Sequence, residues 1–169
     1  ISMASAERIF EILDQQPIIK ELKNPKDKIL INNNSKKNLK FVNLSFRYKN
    51  STKFVLKRIN LEIFHGERVA LVGHSGSGKS TLMNLIPRFF DPTKGRIEIG
   101  GTNIKDLSFK FLRNYFSMVS QDIILFDETV KYNICYGIPN FKEKQFLDAC
   151  RKSNCNEFIS KLSKGYNQM

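Results

Sequence analysis

The chain has 169 residues, 41% of them hydrophobic, enough to bury one globular core. Its 28 basic against 16 acidic residues give a formal net charge of +12, which suits nucleic acid, an anionic membrane surface or an anionic nucleotide and does not choose among them. No apolar run approaches the roughly 18 residues that cross a bilayer, the opening Ile1-Ser2-Met3 carries no signal-peptide pattern, and a start on Ile suggests a piece of a longer chain.

Ile9, Ile12 and Leu13, preceded by Met3, Ala4 and Ala6, recur at helical spacing and predict one amphipathic helix over 1–13, capped by Ser2 or Ser5. Pro17 and the Lys, Asn, Asp and Pro that follow through Asn38 show no periodicity and predict a flexible linker. Much of the positive charge sits there, in residues 20–28 and at Lys36-Lys37. Order returns at Leu39. Phe41, Leu44, Phe46 and Tyr48, then Val55, Leu56, Ile59, Leu61 and Ile63, read as two strands joined by the polar loop Lys49 to Lys53. Arg68 to Val72 is apolar without alternation, the pattern of a central parallel strand covered on both faces.

Directly after it, Gly73-His74-Ser75-Gly76-Ser77-Gly78-Lys79-Ser80-Thr81 fits G-x-x-x-x-G-K-[ST] at every fixed position. A polyphosphate packs several negative charges closely, so the backbone must approach it with many N–H groups turned inward. Gly73, Gly76 and Gly78 free the loop from Cβ clashes and let its amides form an anion-binding nest. The helix beginning near Gly78 adds unsatisfied N–H groups. Lys79 reaches the β- and γ-phosphates as a point charge, and the Ser80 hydroxyl ligates Mg²⁺. The alternative is a Gly/Ser-rich turn, against which stands the strand-then-helix context.

Thr81 to Phe90 continues the helix, with Leu82, Leu85 and Ile86 facing a sheet and Pro87 bending or ending it. Asp91 to Gly95 makes a turn and Arg96 to Ile99 a short strand. Ser108 caps a short helix to Arg113, and Phe116 to Val119 reads as another buried strand; helical patterns recur at 130–134, 142–149 and 156–162. Cys135, Cys150 and Cys155 form an odd set without C-x-x-C spacing and predict free thiols in a reducing compartment rather than a metal site. Basic residues interleaved with aromatics on a strand pattern are absent, so nucleic acid is not expected as a partner.

Taken in order, Leu44-Ser45-Phe46-Arg47-Tyr48, the phosphate loop, Phe90-Asp91-Pro92-Thr93-Lys94-Gly95-Arg96-Ile97, Val119-Ser120-Gln121-Asp122 and Leu125-Phe126 resemble the nucleotide-binding domain of an exporter-type ATP-binding-cassette (ABC) transporter. Residues 3–14 are similar to the segment that joins the last transmembrane helix of such exporters to their ATPase domain, and Thr129 to Gly137 is similar to a stretch in mitochondrial exporters of iron-sulfur biogenesis and their heavy-metal-tolerance relatives. The resemblance implies an α/β fold: a P-loop NTPase core of mostly parallel sheet, an antiparallel β-subdomain and the start of a helical subdomain, truncated. Residues 1–38 would then be helix and linker from a transmembrane domain, and 39–169 the N-terminal part of the ATPase domain.

Roles carry over by matching position. Tyr48 corresponds to the aromatic that stacks on adenine, with Val55 touching the same ring. Gln121 corresponds to the glutamine that approaches Mg²⁺ and the attacking water, and the whole loop from Gly73, Ser75, Gly76 and Ser77 to Thr81 wraps the phosphates of ATP. The resemblance further implies a transmembrane domain and a second nucleotide-binding domain, identical or not, as partners. It places the domain at a membrane, on the cytosolic or mitochondrial-matrix side, powering export such as multidrug export. The family's signature loop, Walker B aspartate, catalytic glutamate and switch histidine follow the point matched by Gly165-Tyr166-Asn167, so these residues alone are expected to bind Mg-nucleotide weakly without turnover, with an open sheet edge beside Arg68 to Val72. Two rival readings are a non-hydrolysing nucleotide-binding fragment and a soluble ABC ATPase acting on nucleic acid.

Overall fold

The strand β1, Leu39–Phe46, has a neighbour on each edge: β2, Leu56–Ile63, and β3, Lys94–Ile99, both antiparallel. A two-residue β4, Thr102–Asn103, completes the order β2-β1-β3-β4. The computed structural model describes residues 2–29, 38–138 and 140–169, so linker residues 30–37 and the first residue of the expected N-terminal helix lie outside the described residues. These fall into two compact units, 1–118 and 119–169.

Alternation along a strand sends every second side chain to one face, so Phe41 and Leu44 would point oppositely in a regular β1. Both are buried, with Phe46. The register slips between Phe41 and Leu44 against β2, where Asn43 takes φ 46°, and this extra residue resets the phase so that all three face the core. Asn43 and Asn60 hold the bulge by exchanging hydrogen bonds of 2.8 and 3.0 Å. Opposite it stands Gly95, φ 76°, where a Cβ would come within 2.3 Å of the Val42 carbonyl oxygen.

The core joins this sheet to α2, Lys79–Leu85, through Leu82 and Leu85, and to Ile104, Leu107 and Leu112. Ser108 caps α3, Phe109–Asn114, by accepting the Phe111 N–H at 3.1 Å, as its sequence position predicts. The loop helix expected to reach Phe90 stops at Leu85, two residues before Pro87.

Three expectations are corrected. Arg68 to Val72 forms no ladder, and neither does Phe116 to Val119; Val72 is 92% and Val119 97% exposed rather than buried. An apolar run becomes a strand only when another backbone takes up its N–H and C=O groups, and no strand among the described residues pairs with either run. The four-stranded sheet is the antiparallel β-subdomain that the resemblance implied. The stretch expected as a free linker is tied down over 20–29: Lys26 N–H donates to Asp106 O at 2.7 Å, Ser108 N–H to Lys26 O at 3.0 Å, and Ile29 packs on the core. Arg88, 2% exposed, is the main fastening. It donates to Asp91 Oδ1 at 3.0 Å, to Lys20 O at 3.1 Å and to Lys105 O at 3.3 Å, with the Phe109 ring 4.8 Å away. A buried guanidinium tolerates this environment only because its donors and its charge are met.

The N-terminal helix α1, Ser2–Leu13, forms with Ile9, Phe10, Ile12 and Leu13 exposed. In the second unit, α4, Val130–Cys135, α5, Glu143–Lys152, and α6, Asn156–Ile159, surround a small core of Phe146, Cys150 and Ile159. Lys131 Nζ lies over the Phe141 and Phe146 rings at 5.6 and 5.3 Å and pairs with Glu143 at 2.9 Å. No described helix is long and apolar enough to cross a membrane.

Candidate nucleotide site

The glycine loop runs from Gly73 to the first turn of α2, and its lysine turns back over it. Lys79 Nζ donates to Gly73 O and His74 O, each at 2.8 Å, and to Ser77 Oγ at 3.3 Å. An ammonium has three donors, and here all three converge on the loop that follows Val72. The positive charge therefore sits inside the ring of backbone where close-packed anionic oxygens would gain most from it.

Gly78 makes that compact entry possible. It takes φ 92° at the N-terminal boundary of α2, and a Cβ there would lie 2.9 Å from Leu56 Cδ2 and 3.1 Å from Val55 Cγ1. Only glycine satisfies both the left-handed backbone and the close approach. The same approach brings Val55 against the loop. Tyr48 reaches it from the other side of the β1–β2 connection, its hydroxyl 3.0 Å from Thr81 Oγ1.

Tyr48 is set edge-on against Phe46 at 4.9 Å and Phe90 at 5.4 Å, while Phe46 and Phe90 meet at 5.7 Å. Edge-to-face packing fixes the ring and leaves it 39% exposed, a platform for a planar partner. Beside it opens a cleft of about 810 Å³ lined by Arg47, Tyr48, Phe89, Phe90 and Arg113 among others. Ser75, Gly76, Ser77 and Ser80 are exposed along the loop and the helix start, and Thr81 is buried.

The structure thus brings Tyr48, Val55 and residues 73–81 together in the first unit. Gln121 belongs to the second unit, on an exposed bend where Ser120 Oγ donates to Asp122 O at 2.6 Å. Among the described residues no three His, Cys, Asp or Glu side chains converge as a metal cluster. That donor set still fits Mg²⁺, which keeps several waters and takes substrate phosphates with one or two protein oxygens, such as the exposed Ser80 hydroxyl, rather than an all-protein cage.

Sequence reasoning missed two supporting residues. Arg88 closes the end of α2 onto residues 20–29, and nothing in its spacing marks it as buried. Asn133 holds the segment after Gln121: its side chain accepts Phe126 N–H at 2.8 Å and donates to Phe126 O, Glu128 O and Thr129 O at 3.1 to 3.2 Å. An asparagine one turn into a helix capped by Thr129 is the available signal, since short amides compete for local backbone groups.

Comparison with known proteins gives the family. The family description "ABC transporter" matches residues 56–169. The ATP-binding protein YknV of Bacillus subtilis, named as an ABC transporter protein, is 42% identical over 166 residues, 98% of this chain and 27% of its own length. An ATP-dependent lipid A-core flippase of Syntrophus aciditrophicus is 42% identical over 164 residues, 97% of this chain and 26% of its own. A putative multidrug export ATP-binding/permease protein of Staphylococcus aureus is 50% identical over 123 residues, 73% of this chain and 21% of its own. The solved structure of a bacterial Atm1-family ABC exporter with ATP bound superposes with a TM-score of 0.84 at 31% identity, over 98% of this chain and 28% of that one. The chain spans about a quarter of the length of the relatives it matches.

Proposed function

The chain belongs to the ABC transporter family, and on that premise we propose that it is the ATP-binding portion of an exporter which couples ATP binding and hydrolysis to movement of a substrate across a membrane. The observation that carries this reading is the convergence of the Lys79 ammonium, the Gly73 to Thr81 loop and the half-exposed Tyr48 ring in one unit. Lys79 exchanges its carbonyl partners for β- and γ-phosphate oxygens. Ser80 supplies one oxygen to Mg²⁺, which neutralises phosphate charge when bound. Tyr48 would stack on the base with Val55 touching the same ring, and Gln121 would be the residue that meets Mg²⁺ and the attacking water.

Hydrolysis requires a carboxylate that positions water and a γ-phosphate contact from a facing subunit. By the resemblance, both follow the point matched by Gly165-Tyr166-Asn167, so residues 1–169 taken by themselves are expected to bind nucleotide without turnover. In the whole transporter the partners are its transmembrane domain and a second nucleotide-binding domain, with this domain on the cytosolic or mitochondrial-matrix face. The similarity of Thr129 to Gly137 to a stretch of mitochondrial iron-sulfur exporters and their heavy-metal-tolerance relatives supports that subgroup.

Titration with a fluorescent ATP analogue in Mg²⁺ tests the assignment. Lys79→Ala weakens binding by at least about tenfold, the scale of one lost charge-assisted contact. Tyr48→Ala loses about 1 to 3 kcal/mol of stacking, roughly 5- to 150-fold in Kd. Unchanged affinity in Lys79→Ala would remove the loop from the site, and unchanged affinity in Tyr48→Ala would remove the stacking role.

A further inference from the structure

α5 ends in a turn that no function above uses. Cys155 N–H donates to Cys150 O at 3.1 Å, Asn154 N–H donates to Arg151 O at 3.2 Å, and Asn154 takes φ 57°. This pair of bonds, six residues back to one and five back to two, with a left-handed residue between, is a Schellman cap. Such a cap folds the residue after the left-handed position over the residue three before the helix end, and side-chain contact between the two accompanies it. Here both are cysteines.

The turn decides what the spacing alone cannot. Had the helix continued, residues five apart would be about 7.5 Å apart along its axis alone, beyond the roughly 7 Å that a disulfide spans between Cα atoms. The cap brings them back. Cys155 Sγ lies 3.4 Å from Cys150 O, donating its thiol proton there. Cys150 is buried and Cys155 half-buried. Cys155 is also the residue that precedes α6, whose first residue Asn156 accepts from Tyr166 Oη at 2.5 Å.

We propose that Cys150 and Cys155 are a reversible dithiol–disulfide pair, closed by a low-molecular-weight disulfide such as oxidised glutathione and reopened by thiols. The Cys155 thiolate, the more accessible of the two, attacks one sulfur of the small disulfide, forms a mixed disulfide and releases one thiolate. The Cys150 thiolate then attacks Cys155 Sγ, forming the internal S–S bond and releasing the second. The cysteine pair gives up two electrons, the small disulfide is reduced to two thiols, and the two cysteine protons pass to the leaving thiolates. Burial pushes the Cys150 thiol above its usual range, which disfavours Cys150 as the first thiolate to attack. Closing the bridge staples the end of α5 to the start of α6.

Arg151 and Lys152 lie between the two cysteines, so trypsin reads the bond directly. The folded chain is incubated with oxidised glutathione, blocked with N-ethylmaleimide and digested. The expected product is residues 145–151 joined to residues 153–161, lost on treatment with dithiothreitol and retained in Cys135→Ser. Recovery of the two peptides separately, alkylated or carrying glutathione, overturns the proposal. So does linkage of either peptide to residues 132–142, which carry Cys135.

Discussion

β1 and the run from Arg68 to Val72 are both short, apolar and rich in strand-forming residues, yet one is the centre of a sheet and the other forms no ladder. β1 has antiparallel neighbours on both edges, and its Phe41, Leu44 and Phe46 are buried. In the second run Leu71 touches the core while Val69 and Val72 are exposed. The difference is not propensity. β-propensity measures how well a side chain fits a pleated, half-buried surface, and the surface must be supplied by other strands. Hairpin neighbours lie close in sequence, whereas a parallel neighbour arrives only through a long crossover.

Substitutions in the two regions break the comparison if it is wrong. The largest effect is expected at Phe41→Ala, which removes a fully buried ring from the centre of β1 and costs about 3 to 5 kcal/mol in urea unfolding. A loss under 1 kcal/mol would mean that the sheet is not the stable element. Next is Ser108→Ala, which deletes the cap of α3 and the contact of Ser108 Oγ with Asp27 Oδ1 at 2.5 Å that holds the linker. Its expected cost is about 1 to 2 kcal/mol, with faster amide exchange at residues 26–29 as the companion readout. Val72→Ala and Val119→Ala remove equally apolar side chains from unpaired runs and are expected to change stability by less than about 0.5 kcal/mol.

The smallest effect concerns pH. Hydrogen bonds from Lys152, then Arg151, hold the Asp148 carboxyl below its usual range. A folded-state value below the unfolded one contributes stability above the ordinary carboxylate range, and that contribution fades as pH falls through the folded value. The pair lies at the surface, so Asp148→Asn should lower the urea midpoint slightly at neutral pH and by less at acid pH, below the ordinary carboxylate range. An equal loss at both pH values would assign the effect to helix propensity instead.

The candidate site was legible to unequal degrees. The loop from Gly73 to Thr81 could be read outright, because polyphosphate binding restricts residue type at several fixed positions within nine residues. Tyr48, Val55 and Gln121 entered only through resemblance to the family, since an isolated aromatic, valine or glutamine carries no spacing of its own. The Tyr48 hydroxyl against Thr81 and the approach of Val55 to Gly78 come from the hairpin geometry that folds the β1–β2 connection over the loop. Arg88 was invisible for a related reason: its partners at positions 20, 91, 105 and 109 are scattered along the chain.

By itself, then, the sequence determined the local devices: the glycine loop, the Ser108 cap and the two hairpin strands. Each depends on backbone sterics or hydrogen bonding among residues a few positions apart. Only the tertiary structure decided which apolar runs became strands, that residues 20–29 are fastened rather than free, and that Cys150 and Cys155 meet. Those outcomes depend on which distant or turned backbone supplies the missing donor, acceptor or surface, and the order of residues along a chain does not contain that information locally.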